Sequence, residues 1–179
     1  MKFSELVKYR QSDRIYSTKP VEKEEIQQCI ETARLAPSAN NSQPWKFVIV
    51  DDLQLKEQIA DCATELGMNR FVHQAPVIIA VVLEKMNLSS SLGSIIKNKK
   101  YSLLDIGIAV NQFCLQATDL NLGTCIVGWF NEKKVKQLLH VDRDKRVPLL
   151  ITLGHSESPL RRKIRKPIEE MSSWNRYQR

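Results

Sequence analysis

Residues 36–50, Ala-Pro-Ser-Ala-Asn-Asn-Ser-Gln-Pro-Trp-Lys-Phe-Val-Ile-Val, run a small polar loop straight into an apolar, β-branched strand. Pro37 and Pro44 bracket the loop and restrict its backbone, while Ser38, Asn40, Asn41, Ser42 and Gln43 place five hydrogen-bonding side chains beside a core strand. Such a loop suits the polar edge of a flat heteroaromatic ligand. The same residues also make an ordinary helix-to-strand connection, since Pro, Ser and Asn are the usual loop formers.

Around that junction, helical and strand patterns alternate. Residues 4–9 read as a short helix with Ser4 as its cap. The stretch Val21–Leu35 is a helix whose Ile26, Cys29, Ile30 and Ala33 share one face, with Thr18 ahead of it as a cap. Trp45–Val50 and Val77–Leu83 read as strands, separated by a helix that Asp51 or Asp52 caps and that carries Leu55, Ile59, Ala63 and Leu66. Residues 84–100, with Ser89-Ser90-Ser91 and Lys97-Asn-Lys-Lys100, break any long period and suit either a surface connection or a flap. Tyr101–Leu120 is the strongest helix, with Leu104, Ile108, Cys114 and Leu115 predicting a core position. A glycine-broken strand at 124–130, a helix capped by Asn131 and a strand from Arg146 to Leu153 follow. The tail beyond Gly154 is basic, and its Ile168 and Trp174 are costly to leave in water, which predicts packing on another surface such as a second subunit.

At 179 residues the chain suits a single domain, 1–179, with its tail from about residue 155 reaching to a partner. Its longest apolar run, Val77–Leu83, is far too short to span a bilayer, and the start carries no signal-like segment, so a cytoplasmic location and no membrane partner are expected. Four scattered cysteines without a CxxC pair and three scattered histidines suggest neither a disulfide framework nor a metal site. The net charge of +7 admits nucleic acid or an anionic small ligand. Much of that charge sits at the two ends, without the aromatics or groove-reading helix of a nucleic-acid module, so no nucleic-acid partner is expected. In an extended backbone Arg10, Ser12 and Arg14 would fall on one side, a credible phosphate cradle, although a solvated basic turn fits the same pattern.

The early Arg-x-Ser-x-Arg, the loop Pro37–Trp45, the helix segment Asp105-Ile-Gly-Ile-Ala, the turn Gly123-Thr-Cys-Ile-Val-Gly128 and Arg165-Lys-Pro167 occur in that order across nearly the whole chain. Together they resemble the nitroreductase family, in particular its short bacterial members. The resemblance implies an α+β fold with a mixed, mainly antiparallel central sheet flanked by helices. It also implies an intertwined homodimer with one FMN at each of two shared sites. On matching positions, Arg10, Ser12 and Arg14, with Lys163 and Arg165 from the tail, would hold the FMN phosphate and ribityl chain. Pro37, Ser38, Ala39, Asn41 and Gln43 would come from the second subunit around the isoalloxazine ring, and Asn69 is a further candidate for the ring's pyrimidine edge. Ile126, Val127 and Gly128 would lie along the ring, with the Val127 N–H near flavin N5. Larger members commonly carry an acidic residue at the Val127 position and a longer central helical insertion, both absent here.

The implied activity is a two-step, ping-pong hydride transfer, in which NADH or NADPH reduces FMN and leaves before a small-molecule acceptor, such as a nitroaromatic or quinone, takes its place. The cofactor would carry that chemistry, and no catalytic side chain is assigned. Two alternatives remain: a flavoprotein of the same fold with other chemistry (flavin fragmentation, reductive dehalogenation or flavin carriage), and a basic anion- or nucleic-acid-binding module.

Overall fold

A computed structural model of the chain describes residues 1–85 and 100–177. Most of the stretch read as a connection or flap, 84–100, lies outside the described residues. Four strands, β1 (Trp45–Val50), β2 (Val77–Leu83), β3 (Gly123–Val127) and β4 (Arg146–Gly154), form one sheet in the order β1-β2-β4-β3. Every neighbouring pair is antiparallel, and a single parallel bridge from Ser12 to Thr124 adds the N-terminal segment to the β3 edge. With helices on both faces this is the expected α+β architecture.

The two central strands explain the layering. Side chains of β2 alternate between faces, and both faces are buried: Val77, Ile79 and Val81 join one apolar cluster, while Ile78, Ala80 and Val82 join another. On the first face lie α2 (Lys23–Arg34) and α4 (Tyr101–Asp119), which contribute Ile26, Cys29, Ala33, Ile106, Val110 and Phe113. Phe113 stacks on Phe47 of β1 with ring centroids 5.7 Å apart. On the second face lie α3 (Leu53–Ala63) and α5 (Glu132–Leu138), with Ile59, Ala60, Cys62 and Val135. Two short helices, α1 (Phe3–Tyr9) and α6 (Ile168–Met171), lie near the two ends of the chain.

Helix ends depart from the sequence expectation where a backward-reaching glutamate replaces a hydroxyl cap. Helix α1 begins one residue before Ser4, with Glu5 accepting from the Lys2 N–H at 3.3 Å, and α2 begins at Lys23 with Glu25 accepting from the Glu22 N–H at 2.9 Å rather than at a Thr18 cap. Asp52 and Asn131 do cap α3 and α5, accepting from Leu55 N–H (2.8 Å) and Lys134 N–H (3.1 Å).

Helix α4 corrects a larger expectation. Its buried stripe is Asp105, Ile106, Ala109, Val110, Phe113, Cys114 and Ala117, whereas Leu104 and Ile108, assigned to the core from their apolarity, are 62% and 41% exposed. Helical spacing puts Leu104, Gly107, Ile108 and Asn111 on the opposite side from Ala109 and Phe113, so one chain buries only half of this apolar helix.

Candidate functional site

The segment 11–17 is extended and held on both sides. On one side the Asp13 N–H donates to Thr124 O at 2.9 Å. On the other, residues 155–158 return alongside it: Ser17 N–H donates to His155 O (3.0 Å), Glu157 N–H to Ile15 O (3.0 Å), and Ser158 Oγ accepts from the N–H groups of Arg14 and Ile15 (3.1 Å each). Tyr16 ties the layers together, its hydroxyl donating to Asp13 O at 2.8 Å and lying 2.7 Å from Thr152 Oγ1.

Close approach here depends on two glycines that face each other across β3 and β4, Gly123 and Gly154. A Cβ on Gly123 would sit 2.6 Å from Ser156 Cβ and 2.9 Å from Asp13 Cβ; one on Gly154 would sit 2.5 Å from Pro76 Cδ. Only hydrogen fits at either position.

This scaffold brings together the residues expected at the cradle. Arg10, Ser12 and Arg14 line a hollow of about 420 Å³ with Gln11 and the tail residues Arg161, Arg162, Lys163, Ile164 and Arg165. Lys163 Nζ donates to Arg10 O and the Arg161 guanidinium to Ser12 O, fastening the tail across the segment. Desolvation, and then the charges of Arg165, Arg10 and Arg161, hold the Lys163 ammonium below its ordinary pKa. Arg10 Nε is buried without a hydrogen-bond partner. Burial pushes the Cys125 thiol up, opposed by Arg14, by a hydrogen bond from Ser12 and by Arg10, which puts the cradle directly against β3. The Arg14 guanidinium lies over the Phe71 ring, 5.6 Å from its centroid. Arg161, not among the residues carried over from the resemblance, is also part of the cluster, and its place in the basic run Arg161-Arg162-Lys163 was the available signal.

Beyond the cradle, the β3 edge runs toward Gly128. Because Asp13 bonds to Thr124 O, the backbone groups of Thr124 face away from β4, and strand alternation then turns the Val127 N–H toward Leu150 and the Ile126 N–H outward. The expected Val127 donor is therefore engaged in the sheet ladder. Ile126 is 39% exposed between the buried Cys125 and Val127, and a Cβ added at Gly128 would meet nothing within 4 Å. Asn69, at φ 49°, spends its Nδ2 on Trp129 O (3.0 Å) and Ala63 O (3.3 Å), so it anchors the chain beside the end of β3.

The loop 37–43 is elsewhere. It leads into β1, at the opposite edge of the sheet from β3, a lateral separation of three strand spacings or about 14 Å. Its backbone is unusual: Asn40, Asn41 and Gln43 all have positive φ (49°, 55° and 47°), a conformation that Asn tolerates better than most residues. Ser38 Oγ accepts from the Gln43 N–H at 2.9 Å, Gln43 Nε2 donates to Asn41 Oδ1 at 3.0 Å, and the Ala39 N–H reaches the buried Asp105 of α4 at 3.2 Å. One chain thus brings Arg10, Ser12, Arg14, Lys163, Arg165, Ile126, Val127, Gly128 and Asn69 to one side and leaves Pro37, Ser38, Ala39, Asn41 and Gln43 at the other.

A larger cleft, about 1060 Å³, lies around α5 and residues 140–146, away from both. Two of its cations are already engaged there, Lys136 on Arg143 O (2.7 Å) and Arg146 on Glu132 (2.7 and 2.8 Å). Among the described residues no helix is long and apolar enough to cross a membrane and no cluster of His, Cys, Asp and Glu could hold a metal ion.

Comparison with known proteins places the chain in a family. The sequence model described as the nitroreductase family matches residues 7–155. An oxygen-insensitive NADPH nitroreductase from Helicobacter acinonychis is 29% identical, with 84% of this chain and 85% of that protein aligned. The crystal structure of a nitroreductase family protein from Streptococcus pneumoniae TIGR4 superposes with a TM-score of 0.83 at 27% identity, covering 96% of this chain and 99% of the other. An FMN-dependent nitroreductase from Clostridium difficile R20291 gives a TM-score of 0.78 at 25% identity, covering 96% and 98%. With the family pattern matched across most of its length and the fold shared end to end, the chain belongs to the nitroreductase family.

Proposed function

We propose that this protein is an FMN-dependent oxidoreductase that takes electrons from NADH or NADPH and passes them to a small oxidised acceptor, such as a nitroaromatic or a quinone. The observation that carries the reading is the cradle. Its lining supplies guanidinium and ammonium donors from both ends of the chain, and the Arg10 Nε is buried and unpartnered among them. A phosphate monoester answers both conditions, since it brings negative charge and acceptor oxygens at once.

The protein acts as a homodimer in this reading. A flavin whose phosphate sits at residues 10–14 and whose ring runs along Ile126–Gly128 is out of reach of its own chain's loop 37–43, so a second copy supplies that loop. The exposed stripe of Leu104 and Ile108 on α4, and the tail's Ile168, Met171 and Trp174, are the apolar surfaces such a partner covers.

Bound FMN supplies the two-electron chemistry between the nicotinamide donor and the acceptor. The protein's residues bind and orient. Arg10, Arg14, Lys163 and Arg165 neutralise the phosphate, and Ser12 adds a hydroxyl. The outward amide of Ile126, with that of Gly128 just past the strand, offers donors to the polar edge of the ring where negative charge develops. The open space at Gly128 lets a planar group approach the backbone.

The test is the visible spectrum of the purified protein followed by anaerobic addition of NADH and NADPH. A flavin spectrum bleached by either donor is expected, and a colourless protein that takes up no FMN would overturn the reading. Replacing Arg10→Ala with Arg14→Ala removes two charge-assisted contacts of about 1.5–3 kcal/mol each, a loss of roughly 10² to 10⁴ in FMN affinity. A folded double variant that kept stoichiometric flavin would refute the cradle assignment.

A further inference from the structure

Asp13 sits behind the cradle, on the far side of the same extended segment. Side chains alternate there, so Ser12 and Arg14 face the cationic hollow while Asp13 faces Gly123 and Ser156. Its carboxylate is buried, 6% exposed, and its Oδ1 accepts from Ser156 Oγ at 2.7 Å and Gln11 Nε2 at 3.0 Å. Both donors are neutral, and among the described residues Asp13 makes no ion pair. A buried carboxylate so placed is costly unless positive charge lies nearby. Here that charge is the cluster itself: of the groups acting on Lys163, Asp13 is the acid that opposes Arg165, Arg10 and Arg161.

We propose that Asp13 is a built-in counter-charge for the cradle, holding the cations together when no phosphate is bound and tempering phosphate affinity when it is. This rests on the FMN reading above. Asp13 touches no part of the ligand; it is a positioning residue that acts through the field at Arg10, Arg14 and Lys163. It thereby sets how strongly the site prefers a phosphorylated flavin over the same flavin without its phosphate.

Asp13→Asn keeps the Oδ1 acceptor and removes the charge. In low salt the flavin-free variant should melt below the flavin-free parent, and added salt should close the gap, since the unopposed repulsion is among the exposed Arg161, Arg162 and Arg165, which salt screens. Its FMN dissociation constant should fall about fivefold while that for riboflavin stays within about twofold, because only the phosphate senses the lost charge. Parallel changes for FMN and riboflavin, or a stability loss that salt does not touch, would show that Asp13 is only a structural pin and would overturn the proposal. Should Asp13→Asn not yield folded protein, the double variant Asp13→Asn, Arg162→Gln decides: recovery of folded, FMN-binding protein supports a charge balance, and failure to recover overturns it. A parent protein that binds neither flavin would instead remove the FMN reading itself.

Discussion

Gly123→Ala tests the geometry that builds the cradle. The added methyl would stand 2.6 Å from Ser156 Cβ and 2.9 Å from Asp13 Cβ, both well inside contact distance. Those neighbours are joined by the 2.7 Å Ser156 Oγ to Asp13 Oδ1 hydrogen bond, so they cannot both retreat without stretching it. Overpacking of this kind costs about 1–3 kcal/mol, and loss of a buried hydrogen bond about 1 kcal/mol more. The stiffer unfolded chain returns about 0.4–1 kcal/mol. The net is a destabilisation of about 2 kcal/mol, or a fall of about 4–8 °C in melting temperature for a chain of this size. Melting should be followed at one fixed protein concentration with and without FMN, because dimerisation and ligand both shift the midpoint. Flavin content should fall with stability, since the displaced Asp13 lies between Ser12 and Arg14 of the cradle. Gly128→Ala is the matched control for the flavin-free protein: with no protein atom within 4 Å of the added methyl, it should melt without FMN at or slightly above the parent. A Gly123→Ala protein with an unchanged midpoint and full flavin would refute the close-packing argument.

Two other substitutions probe separate parts of the frame. Phe71→Leu keeps apolar volume beneath Arg14 but removes the aromatic face, so FMN should bind about two- to fivefold more weakly by titration, the worth of an exposed cation–π contact; unchanged affinity would mean the ring does not hold the guanidinium. Glu132 accepts from Arg146 at 2.7 and 2.8 Å and from the Val147 N–H at 2.8 Å, and these partners, Arg146 foremost, hold its carboxyl below the ordinary range. Its stabilisation is therefore complete above the usual carboxylate pKa and lost as the pH falls through the lowered one. Glu132→Gln should cost about 1 kcal/mol at neutral pH, with little of that difference left in strong acid, as read from melting curves across the acid range.

Much of the frame was legible because burial wrote it into the sequence. All four strands follow apolar runs, and β2, buried on both faces, follows the longest uninterrupted one. The Arg-x-Ser-x-Arg spacing did foretell a shared side, since a locally extended backbone suffices for it. What pairing decides was not legible. Nothing local to Val127 says that its N–H belongs to Leu150; that follows from the Asp13 contact with Thr124, 111 residues along the chain. Nor did apolarity distinguish Leu104 and Ile108 from Ile106 and Val110, because one helix carries a face for its own core and another for a partner. In the sequence Gly123 is only a glycine just past the helix 101–120, and its reason appears when Ser156 and Asp13 arrive beside it.

The placement of the cradle also has a bearing on biosynthesis. It joins residues 10–14 to residues 161–165, so a growing polypeptide has no complete cradle until nearly all of what is seen here has been synthesised. The N-terminal segment has to wait for its return strand, a pairing of high sequence separation that comes late in folding. If the cradle holds the flavin phosphate as proposed, cofactor uptake would work as a proofreading step: a polypeptide stalled before residue 161 presents the arginines at one end alone, and only one that has passed residue 165 would acquire the stabilisation that a bound flavin confers.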